Sequence, residues 1–515
     1  VAWTLCQCFW RAGVPRETLQ FVPCSGATGG ARLVASEDVD VVILTGGTDT
    51  AVRMLEARPE MMLLAETGGK NATIVTAMSD REQAVGHVVA SAFGHGGQKC
   101  SATSLLILED EVYHDESFKE TLVDAAASMR VGSAWSLDTR LGPLIDAPGG
   151  ELVRGLKELE AGESWALMPR KVDGNPRLYS PGIKWGVKPG SYTHMTEFFG
   201  PVLAVIRARD LRDAIALVNA TGYGLTSGIE SLDDRERAEW REGIRAGNLY
   251  INRGTTGAIV HRQPFGGMGK SAFGPGIKAG GPNYVAQLLD FTDRTGLPPA
   301  ASAPLQSATM ETLRQALLER HPEGAHPPDL TRLLRAMASY ERAYVEEFSL
   351  EHDDFKLVGQ DNTRRYLPVP FLRVRVHPDD SAFEIFARVC AAVIVGCRTT
   401  VSVPPDHAGP MVALLDQLTD AWGAMVDFVE ETDAELAELV AMGGTHRVRY
   451  AAPDRVPRAV LAAVGDTGVF VARSPVVEAG RVELLWYLME QSISDSYHRY
   501  GNLGARSGEA RRVVH

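Results

Sequence analysis

The sequence predicts an α/β fold built on largely parallel sheet. Three observations carry that reading. Short apolar, β-branched runs alternate with helical stretches, the runs end in glycine-rich or polar turns, and the alternation resumes beyond a segment rich in Pro, Ala and Ser.

The elements follow in order. Val39–Leu44 (VDVVIL) fits a strand buried on both faces, as in parallel sheets. It runs into Thr45-Gly46-Gly47-Thr48 and a helical stretch from about Asp49 to Arg58. Met61–Ala65 reads as a second buried strand ending at Glu66, with glycines at 68 and 69 and a further element starting at Ala72–Val75. Strand, helix, strand is a crossover pattern, and ligands bind beyond the carboxyl ends of such strands. Thr45–Thr48 and Glu66–Gly69 both fall there. Arg81–Phe93 is a helix ending at Gly94, followed by Gly94–Ser101 (GHGGQKCS) and a strand at Leu105–Leu108. The alternation continues to about Thr292. Arg294–Ala308 carries Pro298-Pro299 and reads as a linker, Met310–Phe348 as helical, and Leu357–Glu490 as a second α/β region. Val1–Ala12 reads as the middle of a helix with no cap before it, so the sequence is expected to begin inside a domain.

Bulk properties narrow the class. The net charge of -13, with no basic stripe, argues against nucleic acid or an anionic membrane as partner. The longest apolar stretch, near Phe386–Cys397, contains Arg388 and is too short for a membrane span; no signal-peptide pattern opens the sequence. Cysteines stand at 6, 8, 24, 100, 390 and 397, none in a zinc spacing, so no metal site is expected. So few in so long a chain suggest reduced thiols and a cytoplasmic setting.

Three places could carry chemistry. Cys100 follows a glycine-rich approach that frees backbone amides, and a helix amino end there would depress its pKa. Glu66 closes a buried strand at the ligand edge. Glu197-Phe198-Phe199-Gly200-Pro201 sets a carboxylate and two aromatics before a turn. On residues alone, each has a plain alternative: a buried structural thiol, a loop carboxylate and a strand-edge turn. Gly267–Ala272 fits G-x-G-x-x-A but lacks a preceding strand, so it does not read as a dinucleotide fingerprint; Gly269-Lys270-Ser271 is no P-loop either.

In combination the motifs resemble the aldehyde dehydrogenase superfamily. They are Leu44–Thr48 (LTGGT), Leu64–Asn71 (LAETGGKN), Gly97–Cys100 (GQKC), Glu197–Pro201 (EFFGP), Gly247–Asn252 (GNLYIN) and Pro264–Gly267 (PFGG). Order and spacing agree from about Val1 to Thr292. Within the superfamily the resemblance is strongest to glutamate-semialdehyde (1-pyrroline-5-carboxylate) dehydrogenase, in the form fused to proline dehydrogenase in bacterial proline utilization A. It rests on Phe93–Ala102 (FGHGGQKCSA), Gly257-Ala258, Gly274–Tyr284 (GPGIKAGGPNY) and the tail Gln491–Arg506.

That resemblance implies an aldehyde dehydrogenase fold: a partial Rossmann-like NAD domain (residues 1–75, returning at 266–293), an α/β catalytic domain (76–265), a linker (294–308), a helical connector (309–356) and a degenerate Rossmann-like domain with its tail (357–515). It implies NAD-dependent oxidation of L-glutamate γ-semialdehyde to L-glutamate in proline catabolism. Cys100 would be the nucleophile and Glu66 the base. Thr45, Gly46, Gly47, Thr48, Glu66, Thr67, Gly68, Glu197 and Phe199 would hold the cofactor. Lys99, Ser101 and the amides of Gly257 and Ala258 would hold the small-molecule substrate, whose carboxylate needs donors a short chain away from the thiol. The implied partners are an upstream proline dehydrogenase domain and a second copy in a homodimer.

The sequence also departs from the family. The segment that supplies a second oxyanion donor (an asparagine) and a ribose-binding lysine has no counterpart, so a fragment with weak or no activity is expected, and NAD versus NADP stays open. In the second α/β region, Val393–Pro405 resembles a strand and proline loop of the front domain. His446–Asp454 stands in the place of strand plus TGGT, and Gly468–Pro475 in that of MMLLAE. The glycines and the glutamate are gone, so a structural role is expected: covering the catalytic domain, or replacing a subunit contact. Two other readings remain, an aldehyde dehydrogenase of different substrate and a noncatalytic chain with a relict site.

Overall fold

A computed structural model describes residues 1–294, 304–321, 327–405, 407 and 409–511. Most of the expected linker, residues 295–303, lies outside the described residues.

Three sheets form. Val41–Thr45 and Met62–Glu66 pair in parallel, joined by the helix Thr48–Ala57, and Ala272–Phe273 closes the far edge antiparallel. The sequence predicts a strand over Val39–Leu44 buried on both faces, and the structure forms it over Val41–Thr45. Among the described residues it pairs only with Met62–Glu66; Val42 and Leu44 pack against the core on one face, while Ile43 on the other is 56% exposed for want of a layer packed over it.

The second sheet has nine strands. Its centre runs Asn248–Ile251, Thr226–Glu230, Ala72–Val75, Leu105–Glu109, Val202–Ala208 and Gly182–Trp185, all parallel. Alternation along the strands feeds two cores. Ile74, Ile107, Ile206 and Ile229 face one side; Val75, Leu106, Leu108 and Val205 face the other, against the helix Arg81–Phe93. Two strands cross the boundaries drawn from sequence. Ala72–Val75 sits in the middle of this sheet rather than with Met62–Glu66. From the far end of the chain, Leu488–Ser496 joins parallel to Asn248–Ile251 and carries Gln360–Pro368 as an antiparallel edge.

The third sheet is parallel throughout, in the order Val426–Glu430, Arg398–Val403, Phe371–Arg375, Arg447–Arg449, Phe470–Ala472. Numbered along the chain, that is 3-2-1-4-5, the doubly wound Rossmann arrangement. Arg447–Arg449 and Phe470–Ala472 pair in parallel, as Val41–Thr45 and Met62–Glu66 do in the front unit. The Val393–Pro405 match needs correction. Val393–Val395 ends the helix Ala382–Val395, Gly396 terminates it at φ 89, and the strand starts at Arg398. The helices Ala308–Arg320 and Pro328–Ala343 occupy the expected helical stretch. Front and rear units share one core: Ala51, Leu55, Leu63 and Ala65 pack with Leu436, Val440, Val460 and Val471.

Among the described residues no helix is long and apolar enough to cross a membrane, and no cluster of His, Cys, Asp and Glu could hold a metal ion. All six cysteines are free.

Candidate active site

Cys100 lies between the helix Arg81–Phe93 and the strand Leu105–Glu109. The chain crosses that gap with His95, Gly96 and Gly97 all at positive φ. Gly97 is required: a Cβ there would collide with the Gly200 carbonyl, so the glycine brings the Cys100 loop against the Glu197–Pro201 turn. Cys100 itself sits in a tight turn in which the Ala102 amide donates to the Lys99 carbonyl (3.0 Å). The expected helix amino end is absent, and with it the depressed thiol. Burial, then the nearby Glu197 and Glu66 carboxylates, push the Cys100 pKa up, while the amides of Ser101 and Cys100 hold it down.

The turn hangs from a buried network. Asn71, to which the sequence gives no individual role, donates through its side chain to the carbonyls of Cys100 (2.6 Å) and Ala102 (3.0 Å) and accepts from the Thr226 amide (3.0 Å). The Thr255 hydroxyl donates to the Ser101 carbonyl (3.0 Å). Such fully bonded polar groups fix the backbone around a reacting atom. The one local signal for Asn71 is a polar pair, Lys70-Asn71, opening an apolar strand.

Glu66 ends its strand as expected, paired with Thr45 and Ala272. One oxygen accepts from the Gly267 amide (2.7 Å). Burial drives its pKa well above the usual carboxylate range, against the pull of the Lys278 ammonium and the Gly267 amide. Gly266 and Gly267 thus serve Glu66, and no strand precedes them among residues 252–271, which agrees with rejecting the G-x-G-x-x-A match.

Glu197 accepts from the Gly69 amide (3.0 Å), and any Cβ on Gly68 would collide with its carboxylate. Burial raises its pKa as well. Phe199 is held at φ 52, a conformation costly for an aromatic residue, and is 39% exposed. Behind it, Lys70 is fully buried over the Phe198 ring (4.6 Å), its amine has no hydrogen-bond partner among the described residues, and its pKa is pushed down to about 7, chiefly by burial.

Gly47 caps the helix Thr48–Ala57 with no side-chain bond, which leaves its first amides free. The hydroxyls of Thr48 (3.1 Å) and Thr67 (2.9 Å) both lie within hydrogen-bond reach of the Lys270 carbonyl, and Thr48 also reaches the Thr67 hydroxyl (3.1 Å). Gly46 donates its amide to the Glu66 carbonyl (3.3 Å). Gly257 stands at φ 88 with open space where a Cβ would be, and the amides of Gly257 and Ala258 donate to no protein group among the described residues. Thr255 ties this segment to Ser101. Lys99 contributes its carbonyl to the turn; its amine forms no ion pair among the described residues.

The expected residues therefore form two groups: Glu66 and Glu197 near the Cys100 thiol, and Ser101 joined through Thr255 to the segment that carries Gly257 and Ala258. A cavity of about 450 Å³ between Met61–Leu63 and Val469–Val471 lies away from all of them. It is placed by domain packing and plays no part in locating the chemistry.

A thiol turn flanked by two half-buried carboxylates agrees with the comparisons. Residues 1–292 match the aldehyde dehydrogenase family. A 1-pyrroline-5-carboxylate dehydrogenase of Geobacillus sp. (strain WCH70) is 34% identical over 294 residues, 55% of this chain and 56% of that one. The bifunctional protein PutA of Salmonella typhimurium is 34% identical over 441 residues, 81% of this chain and 32% of its own. The structure of PutA from Corynebacterium freiburgense matches 97% of this chain and 46% of that one, at 37% identity and a TM-score of 0.80. The NAD-bound 1-pyrroline-5-carboxylate dehydrogenase from Thermus covers 56% of each chain, at 32% identity and a TM-score of 0.51. The chain thus spans about half the length, or less, of the relatives it matches. A family match over more than half the sequence means that the chain belongs to the aldehyde dehydrogenase family.

Proposed function

We propose that this chain oxidises L-glutamate γ-semialdehyde to L-glutamate with NAD⁺, in the catabolism of proline. The observation that carries the chemistry is the convergence of Glu66 and Glu197 on Cys100. The substrate is argued from the undonated amides of Gly257 and Ala258 beside Ser101, which suit an α-carboxylate. The relatives named 1-pyrroline-5-carboxylate dehydrogenase support the same choice.

The donor set fits NAD⁺. The uncapped amino end of Thr48–Ala57 suits a pyrophosphate, and the half-buried Glu197 carboxylate suits a ribose diol. When bound, NAD⁺ supplies the hydride acceptor. Cys100 Sγ adds to the aldehyde carbon, with the amides of Ser101 and Cys100 favouring the thiolate. The Cys100 amide also serves the developing oxyanion. Loss of hydride from the adduct leaves a thioester on Cys100. Glu66 then takes a proton from water, whose oxygen attacks the thioester; the C–S bond breaks and glutamate leaves. A proline dehydrogenase domain as partner agrees with the bifunctional PutA relatives.

The test is NADH formation from glutamate semialdehyde by the protein and by Cys100→Ala. The substitution should abolish turnover while leaving the thermal midpoint unchanged. Turnover that survives it would sink the mechanism.

A further inference from the structure

Glu490 lies on the strand Leu488–Ser496, in the region beyond the family match, and is 2% exposed. Its amide donates to the Gly276 carbonyl (3.0 Å). One carboxylate oxygen accepts from the Lys278 amide (2.8 Å), the other from the Asn283 side chain (2.7 Å). Those bonds pin residues 276–283 to the carboxyl-terminal strand. From that loop Lys278, 1% exposed, sends its amine to the carbonyls of Gly266 and Gly267, the latter at 2.7 Å. The Gly267 amide in turn donates to Glu66 (2.7 Å). A Cβ on Gly266 would collide with both the Glu66 carboxylate and the Lys278 side chain, so the two groups flank that glycine.

We propose that Lys278, anchored by Glu490, is a positioning residue for Glu66 in thioester hydrolysis, so that the carboxyl-terminal strand completes the second half of the reaction. The inference rests on the reading of Glu66 as the base. Hydrolysis needs Glu66 ionised and aimed. Lys278 is the cation facing it; Tyr284 and Cys100 also face Glu66. Lys278 faces Glu66 and Glu490, and Glu490 faces Arg364 and Lys278. A buried amine kept charged by two carboxylates both orders the turn and offsets the burial of the base. The step balances without a further reactant: water gives its proton to Glu66 and its oxygen to the acyl carbon, and Cys100 departs as thiolate.

The test separates the half-reactions in Lys278→Met, Lys278→Arg and Glu490→Gln. NADH formed in the first turnover should be unchanged in all three. In Lys278→Met and Glu490→Gln the acyl group should accumulate on Cys100, seen by mass after rapid quenching, and steady turnover should fall about tenfold. The pH at which turnover levels off should move up, because a carboxylate without its cation holds its proton longer. Lys278→Arg should recover most of the turnover. Should Lys278→Met fail to fold, Glu490→Gln carries the same expectations. First-turnover NADH and steady turnover falling in proportion would reveal a merely structural role and overturn the inference, as would unchanged turnover. No NADH from the unsubstituted protein would overturn the functional reading and this inference with it.

Discussion

The front unit, Val41–Glu66, and the rear sheet, Phe371–Ala472, share a strand–helix–strand plan and differ at the carboxyl ends of their strands. In front, the strand ends carry Gly46-Gly47 and Glu66, and the helix Thr48–Ala57 starts without a side-chain cap. In the rear sheet the two central strands end at Arg375 and Arg449, and Arg388 fills the crevice between them. Its guanidinium, 0% exposed, donates to the carbonyls of Arg375 (2.7 Å) and Arg449 (3.2 Å) and pairs with Asp380. Arg449 pairs with the buried Glu483 (2.7 Å). This crevice is the topological switch point where such sheets bind ligands. The front unit leaves the amino end of its helix without a side-chain cap, and the rear unit satisfies its strand-end carbonyls with side chains.

The comparison breaks most directly at Glu66, the strand-end carboxylate in whose place the rear strand Phe470–Ala472 ends at an alanine. Glu66→Gln should lower turnover by about 10²- to 10⁴-fold, the range of a lost general base, with first-turnover NADH retained. In the unsubstituted protein, turnover should climb as pH rises beyond the ordinary carboxylate range, since a protonated Glu66 cannot accept a proton and burial holds its pKa up. Turnover flat across that range would assign the base elsewhere.

The rear unit should respond in stability. Glu483 accepts from Arg449, from the Tyr487 hydroxyl (2.8 Å) and from the Val477 amide (3.2 Å). Glu483→Ala leaves a buried guanidinium unpaired, and urea denaturation should show a loss of about 3–5 kcal/mol. A change below about 1 kcal/mol, no more than an exposed ion pair contributes, would mean that the crevice is not held by this pair.

The contrast also marks what the sequence makes legible. Glu66 at a strand end and Cys100 after glycines are local signals, readable because each depends on a few neighbouring residues. The sequence around Cys100 suggests a helix start, since nothing in Gly94–Gly97 announces three successive left-handed residues. Lys278 and Glu490 are out of reach of such reading: their roles depend on Leu488–Ser496 joining Asn248–Ile251, a pairing that no local pattern specifies. In sequence Arg388 is an interruption in an apolar run. Its meaning emerges only when its helix lies across the strand ends.

The smallest expected effect tests whether the open helix end is kept for a ligand. The rear helix Ala382–Val395 starts with a capping box, in which Ser381 accepts from the Glu384 amide and Glu384 from the Ser381 amide. The front helix has Gly47 at that position, extended at φ -85, and a Cβ added there would meet nothing within 4 Å. Serine therefore fits without strain. Gly47→Ser should stabilise the fold by about a few tenths of a kcal/mol, the usual gain over a glycine cap. The same hydroxyl would compete for the amides that suit the pyrophosphate, so the KM for NAD⁺ should rise severalfold while the KM for the aldehyde stays put. Stability gained with no change in the KM for NAD⁺ would show that this helix end is bare for some reason other than the cofactor, and would erase the functional half of the contrast between the two units.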